Sequence, residues 1–458
     1  MEEQASKISK RIDPIYAASG GLMSSDTKSS PNFSDKLDRR KFIGAAAAAA
    51  GLLIIKPELV RGTAANSAVR VGLLGCGGRG TEDASNLVDT GGARVVALAD
   101  MFQDQLDKAR AHFDQIQQAK GYSSLGTSQL FVGPNAYQQI AASKELDAMV
   151  IATPPYFHPH HLEAVVAAGK HVYLEKPVAV DVPGALKVID IGKRAEGKLS
   201  LDVGFQIRDC PPFVELVRRI HNGALGKIVC GEAHYLTGYI DRPPWPDASP
   251  AERRLRNWIY DRALSGDIIV EQNIHVIDIC NWILKAHPVK ASATGGRQGR
   301  PQDGDVYGNY NAVFYYPDDV DITFSSTQFA KGWWDVTERF FGTKGTSQSP
   351  YTGPLGIWGD EPWQSAASPA KDKPETQAFS VTGSFTSNLE FADPEKKKAF
   401  VESITNGNFH NQAAKGAESA LSCMMARTAA YTGREVTWDE LMKTKEVWDP
   451  KIDLNKLR

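Results

Sequence analysis

Apolar residues in the first part of the chain come in short continuous runs separated by amphipathic stretches, whereas further on they alternate with polar ones. The first pattern belongs to parallel strands buried on both faces and joined by crossover helices; the second belongs to half-buried antiparallel sheet. Continuous runs start at Val69, end at Asp100, and recur at residues 147–152, 171–174 and 199–204. Between them Leu106, Ala109, Phe113 and Ile116 fall at helical spacing within residues 102–118. Further helices are expected over 137–142, 162–168 and 182–196. Beyond residue 206, Tyr310, Ala312, Phe314 and Tyr316 form one face of a strand. After the turn Pro317-Asp318-Asp319, Val320, Ile322 and Phe324 form one face of the next. Strands near 229–235, 289–294 and 336–342 would join them, and helices over 394–406 and 413–432 close the chain.

The break between the first two runs carries the first candidate chemistry. Gly75-Cys76-Gly77-Gly78-Arg79-Gly80 stands between a strand and a helix. Gly75 permits a sharp turn, Gly77 lets backbone approach a pyrophosphate, and Gly80 lets helix and strand pack closely. The pyrophosphate would rest on unpaired amides at the helix N-terminus. Asp100, at the end of the second run, lies where an acid is needed to hold an adenosine ribose hydroxyl. Met101 and Phe102 follow it with no Arg or Lys beside it, which favours NAD over NADP. The expected fold class is α/β: an N-terminal Rossmann dinucleotide-binding domain (67–205) plus a C-terminal α+β domain (206–458) with a large, mostly antiparallel sheet.

In such a sheet ligands bind beyond the carboxyl ends of the strands, so Thr153 and Pro154 should line the cofactor cleft. His158, His160 and His161 follow, with no carboxylate or thiolate between them to complete a metal site. They read as the start of a helix, with His158 near the cofactor and the other two exposed; no metal is expected.

Composition narrows the class. The 458 residues are 42% apolar and 23% charged with a formal charge of −2, which gives no sign of a nucleic-acid partner. Five scattered cysteines without a C-x-x-C pair argue against a disulfide framework and a zinc site. Residues 1–38 are polar; Arg39-Arg40-Lys41-Phe42-Ile43 then opens an apolar run to Ile55 that is short of the ~20 residues a spanning helix needs. Residues 1–66 therefore read as a leader with a twin-arginine export signal, Met23 being an alternative natural start, and the mature protein is expected to keep no stable membrane insertion.

The motifs GLLGCGGRG, VIATPPYFH and AGKHVYLEKP together resemble the Gfo/Idh/MocA family, which includes glucose-fructose oxidoreductase and inositol dehydrogenase. The resemblance implies that Lys176 reaches the substrate, that Glu175 lies by the nicotinamide ribose, and that the Lys176-Pro177 bond is cis. It also implies substrate-side positions for Gln206 and Arg208, for His410 and Asn411, and a homo-oligomer, dimer or tetramer, through the open sheet face.

A second chemical element spans residues 266–282. On one helix Glu271, His275, Asp278 and Trp282 would form a single stripe, and a carboxylate four residues before an imidazole can raise its basicity. The family pattern has aspartate before the histidine with glycine between; here Glu271 and Asn273 stand instead, Asn273 being expected on the substrate side. Trp358 and Trp363, in a Gly-, Pro- and Ser-rich stretch over 342–387, either cover a sugar or pack as a surface loop.

The reading is an exported NAD(P)-dependent oxidoreductase acting on a small-molecule carbohydrate: a sugar, polyol or glycoside hydroxyl. His275 serves as base, Lys176 polarises the oxygen and Glu271 tunes the histidine, though Lys176 and His275 could exchange roles. Because free NAD is scarce outside the cytoplasm, a tightly held cofactor is expected. Two other readings stay open: a glycosidase working by oxidation, elimination and reduction, and a sugar-binding protein without turnover.

Overall fold

Six parallel strands run in the order β3-β2-β1-β4-β5-β6. They are β1 (Val69–Leu74), β2 (Ala93–Asp100), β3 (Leu130–Val132), β4 (Ala148–Ile151), β5 (His171–Leu174) and β6 (Leu201–Val203). The strand order reverses at β1, so the carboxyl ends of β1, β2 and β4 open a crevice there. Helices α1 (Gly78–Asp89), α2 (Gln103–Ala119), α3 (Ala136–Ala142), α4 (His158–Ala167) and α5 (Val182–Ala195) supply the crossovers. Every residue of β4 and β6 is buried, which is why these segments read as unbroken apolar runs. Strand β3 is three residues, Leu130 to Val132, none of them fully buried, and too short to show a pattern. The computed structural model describes residues 68–300, 304–366 and 387–457. The leader with Arg39-Arg40, and residues 367–386 of the Gly-, Pro- and Ser-rich stretch, lie outside the described residues.

The second sheet has nine strands in the order β14-β13-β12-β11-β7-β10-β9-β8-β15. Its strands are β7 (Ile228–Leu236), β8 (Lys290–Gly296), β9 (Asn309–Tyr316), β10 (Val320–Thr327), β11 (Asp335–Gly342), β12 (Gly345–Gln348), β13 (Gly356–Gly359), β14 (Trp363–Gln364) and β15 (Val436–Thr437). Only the β7–β10 pair is parallel. Strands β12 to β15 hold two to four residues each, too few to establish a period of two.

The remaining helices are α6 (Pro211–His221), α7 (Pro250–Arg256), α8 (Arg262–Ser265), α9 (Ile268–Glu271), α10 (Ile274–Leu284), α11 (Ala392–Asn406), α12 (Ala413–Thr432) and α13 (Trp438–Met442). None of the described helices is long and apolar enough to cross a membrane. The single helix expected over residues 266–282 is two helices. Asp267, buried at φ 75°, starts α9 by accepting the Ile268 amide and is fixed by the Tyr307 amide at 3.1 Å. At the other end the Ile268 carbonyl accepts both the Gln272 and Asn273 amides, and the ladder restarts at α10. Helix α11 packs on α1 and β1, and α12 packs on both α5 and β8.

Candidate active site

The crevice at the strand ends is a cleft of about 580 Å³ lined from both sheets. Gly75 turns the chain at φ 96°, and a Cβ there would stand 2.6 Å from the Ala152 carbonyl oxygen. A Cβ on Gly80 would stand 2.1 Å from the Gly75 oxygen, so α1 can start this close to β1 only with glycine. Gly77, which precedes α1, has nothing within 4 Å of its Cβ direction, and no side chain caps the helix. The first amides of α1 thus face open space, an arrangement suited to a diphosphate. Gly78 and Arg79 line the same wall.

Asp100 closes the nucleotide end. One carboxylate oxygen accepts the Cys76 amide at 2.7 Å and the other the Phe102 amide at 2.9 Å. Burial pushes this carboxyl up and those two amides pull it back. A carboxylate has about four acceptor directions, so two remain for a ribose diol. The buried Cys76 contributes its backbone, with its thiol on the Ala99 carbonyl. Cations absent beside Asp100 in the sequence arrive in space: Arg256 lies 3.8 Å over the Phe102 ring and 4.4 Å over Trp245. Its charge is matched by Asp104 in a two-bond pair at 2.9 and 3.2 Å and by Glu252 at 2.7 Å. Lys108, Arg242, Leu255 and Trp258 line the same end. The sequence signal for this wall was the density of Arg and Trp between Arg242 and Trp258, which went unread.

At the other end the loop after β5 delivers Glu175 and Lys176, and the Lys176-Pro177 bond is cis. The Glu175 carboxylate accepts from Arg79 Nε at 3.0 Å and from the Lys176 amide at 3.0 Å. Lys176 Nζ lies 2.6 Å from the Glu271 carbonyl oxygen and 3.1 Å from Glu271 Oε1. His275 faces the same space, buried, with Nδ1 lacking a hydrogen-bond partner among the described residues. Burial first, then the charges of Lys176 and Arg79, hold its pKa well below the usual histidine range, so the imidazole is neutral. Gln206, Gln272, Tyr235 and Tyr351 complete the wall.

Thr153 and Pro154 line the cleft at the end of β4. His158 is buried there, its ring nitrogens each 2.7 Å from a carbonyl, Pro177 on one side and Thr153 on the other, and burial lowers its pKa to about 4. His161 is not exposed as the sequence suggested. Because α4 begins at His158, residues 158 and 161 share a helix face, and the His161 ring stacks on Phe157 and meets Thr153 Oγ1 at 3.0 Å.

Other expected positions lie elsewhere. The break before α10 directs Glu271 to Lys176, not to His275, so the carboxylate does not tune the imidazole. Arg208 makes a two-bond pair with Asp278 at 2.8 and 2.9 Å, packs over Trp282, and does not line this cleft; nor do Asp278 and Trp282. Asn273 is buried at the start of α10 outside the lining, its side chain without a hydrogen-bond partner among the described residues. His410 meets Asp202 at 3.1 Å, and Asn411 bonds the Gly192 carbonyl at 2.9 Å and the Glu196 carboxylate, which ties this loop to β6 and α5. Trp363 packs under Arg219 and Trp358 is exposed on β13; neither reaches the cleft. No group of three or more His, Cys, Asp or Glu side chains among the described residues could hold a metal ion.

A model for the oxidoreductase family with an NAD-binding Rossmann fold matches residues 69–203, and one for the GFO/IDH/MocA C-terminal domain matches residues 213–348. An inositol 2-dehydrogenase of Rhizobium meliloti (strain 1021) is 30% identical over 248 residues, 54% of this chain and 63% of that protein. A glycosyl hydrolase family 109 protein of Streptomyces niveus is 28% identical over 172 residues, 37% of this chain and 33% of that protein. The matches thus span less than two thirds of these relatives' length. The crystal structure of aldose-aldose oxidoreductase from Caulobacter crescentus, complexed with glycerol, superposes with a TM-score of 0.63 at 18% identity. It covers 81% of this chain and 99% of that one, a likeness of fold.

Proposed function

The chain belongs to the Gfo/Idh/MocA oxidoreductase family, two of whose domain models match it in succession, and from that membership we propose that it moves a hydride between bound NAD and a hydroxyl-bearing carbon of a sugar or polyol. The observation that carries the reading is that Lys176 and His275, delivered by different sheets' connections, line one cleft with the glycine turn and Asp100. NAD, when bound, supplies the hydride acceptor. The α1 amides and Asp100 fit its diphosphate and ribose, and the chain's side chains do the rest.

A neutral imidazole lining the cleft is the right species to take a hydroxyl proton, and His275 has that character. Lys176 has three ammonium donors, two of them turned to Glu271, which leaves one for the substrate oxygen. That donor stabilises negative charge developing on the oxygen as the C–H bond breaks. Should the two exchange roles, Glu271 is placed to receive charge from the lysine. The inositol 2-dehydrogenase relative supports a polyol or sugar as substrate. Nicotinamide reduction by the purified protein, screened over sugars, polyols and glycosides, tests the reading; no reduction with any of them, in either direction, would sink it.

A second reading is favoured by the similarity to the glycosyl hydrolase family 109 protein: oxidation, elimination and re-reduction at a glycoside with no net redox change. Release of nitrophenol from a nitrophenyl glycoside without an added acceptor separates the two. Export rests on Arg39-Arg40 and the apolar run to Ile55, and retention of an R39K/R40K double variant in the cytoplasm tests it. A homo-oligomer through the open face of the nine-stranded sheet, where Val229 and Phe341 are exposed, is tested by light scattering.

A further inference from the structure

Behind the cleft wall lies a buried group of five charges. Arg79 donates to Glu175 at 3.0 Å and to both oxygens of Asp393 at 2.7 and 3.1 Å, and it stands 3.0 Å from Asp83 Oδ1. Lys397 Nζ stands 2.6 Å from Asp83 Oδ1 and 2.7 Å from Asp393 Oδ1. The Asp83 and Lys397 side chains have no exposed surface. Arg79 and Glu175 also line the cleft, so the group joins the nicotinamide end to the interior of α1 and α11.

Three carboxylates face two cations, which leaves one negative charge unmatched. Lys176 and Glu271 cancel each other, and His275 is neutral, so neither changes the count. An unmatched buried charge is costly, and one proton held among carboxyls crowded on the same cation relieves it. Asp83 and Glu175 each stand 3.0 Å from the Arg79 guanidinium, so the two carboxyls crowd one cation, and the Asp83 side chain has no exposed surface. Burial pushes Asp83 up, to about 8, against the pull of Arg79 and Lys397. Burial also opposes the Glu175 carboxylate, but Arg79, Lys397 and Lys176 outweigh it and hold that group below its usual value. The charged and titratable groups that face the pair are Arg79 on α1, Tyr173 from β5, Lys176 and His158 beside Glu175, and Asp393 and Lys397 from α11.

Resting on the NAD-dependent reading above, we propose that the proton held by the Asp83 and Glu175 carboxyl pair beside Arg79 answers the charge of the nicotinamide ring, leaving when the ring is oxidised and cationic and staying when it is reduced and neutral. The balance is simple. A secondary alcohol gives a hydride, two electrons with one proton, to the ring and releases its hydroxyl proton. The ring loses one positive charge, and the carboxyl pair gains one proton. Oxidation of substrate between the bound forms then releases no net proton to solvent.

The test is nucleotide binding without turnover. Kd for NAD⁺ and for NADH are measured on the wild-type protein across about two pH units around neutrality. The ratio Kd(NADH)/Kd(NAD⁺) should rise with pH, by at most about tenfold per unit, and Asp83→Asn should flatten it. Should that variant not fold, calorimetry of the wild type in buffers of different ionisation enthalpy reads the proton directly. NADH binding should then take up more protons than NAD⁺ binding. A pH-independent ratio, or equal proton uptake for the two forms, overturns the inference and leaves the NAD-dependent reading standing. Failure to bind either nucleotide overturns both.

Discussion

Lys176 and Glu271 meet across the cleft, the lysine from the loop after β5 and the glutamate from the end of α9, with Nζ 2.6 Å from the Glu271 carbonyl oxygen and 3.1 Å from Oε1. The ammonium is therefore held partly by main chain, and the two contributions separate by mutation. Lys176→Met removes the charge at the reacting oxygen and should lower kcat/KM by roughly 10²- to 10⁴-fold while leaving NAD affinity nearly intact. Glu271→Gln keeps the carbonyl contact and should cost only about tenfold. Steady-state kinetics beside nucleotide titration reads both; full turnover in Lys176→Met would remove the lysine from the chemistry.

The glycine turn separates packing from ligand contact. Gly80→Ala drives a methyl into the Gly75 carbonyl and should destabilise the fold by about 1–3 kcal/mol, seen as a lower Tm. Gly77→Ala meets no protein atom, so Tm should hold while NAD affinity falls about tenfold, the new methyl occupying space left for the diphosphate. If both variants lose stability and affinity together, the open face of Gly77 is not where the nucleotide lies.

The parts legible in the sequence were those fixed locally. A buried strand must be apolar along its whole length, a tight strand-to-helix turn needs glycine, and an acid at a strand end sits a fixed chain distance from that turn. Hence β1, β4 and β5, the Gly75–Gly80 turn, Asp100 and Lys176 could be placed in one crevice. What was not legible depends on partners far along the chain. Arg256 reaches Phe102 and Asp104 from about 150 residues away, and nothing near Asp100 announces it. Lys396 and Lys397 look like a solvated helix face yet are fully buried, because Asp202, Asp83 and Asp393 meet them. The break between α9 and α10 falls at Gln272 and Asn273, whose amides both turn to the Ile268 carbonyl, so spacing alone assigned Glu271 to the wrong partner. Arg208, His410 and Asn411 are polar residues beside strands whose own carboxylate partners draw them away from the cleft.

Arg256 offers a test of the nucleotide end. Its guanidinium stacks on Phe102 and pins Asp104 on α2, so Arg256→Ala removes packing as well as charge and frees the wall around Trp245 and Trp258. NAD affinity should fall by roughly tenfold, with kcat at saturating NAD unchanged because the residue lies far from Lys176. A selective fall in kcat instead would mean that this wall acts on the reacting end.

Acid sensitivity follows from the buried imidazoles. Burial lowers His158 to about 4 and His161 to about 3, from a usual 6.5, and holds His275 well below that value. Above pH 6.5 folded and unfolded chains both carry these rings neutral, and their contribution to stability is whole. As pH falls below 6.5 the unfolded chain binds protons that the folded chain does not, so stability drops by up to about 1.4 kcal/mol per pH unit for each ring until its folded value is reached. Buried carboxyls raised in the folded state oppose this, among them Asp83, Asp100, Asp267 and Glu338. Asp83, raised to about 8, holds a proton in the folded state that an unfolded aspartate gives up above about 3.8, which favours folding as pH falls across that window. His410, raised by its hydrogen bond to Asp202, acts only above pH 6.5, where the unfolded ring is neutral, and adds no slope below it. The slope of the denaturation midpoint between pH 6.5 and about 4 is the balance of the two sets, and removing one depressed ring moves it in a fixed direction, toward less loss of stability with acid. His161→Phe, which keeps the stack on Phe157 and gives up the Thr153 contact, should remove part of the slope. A slope that His161→Phe leaves unchanged would show that this ring is protonated in the folded protein.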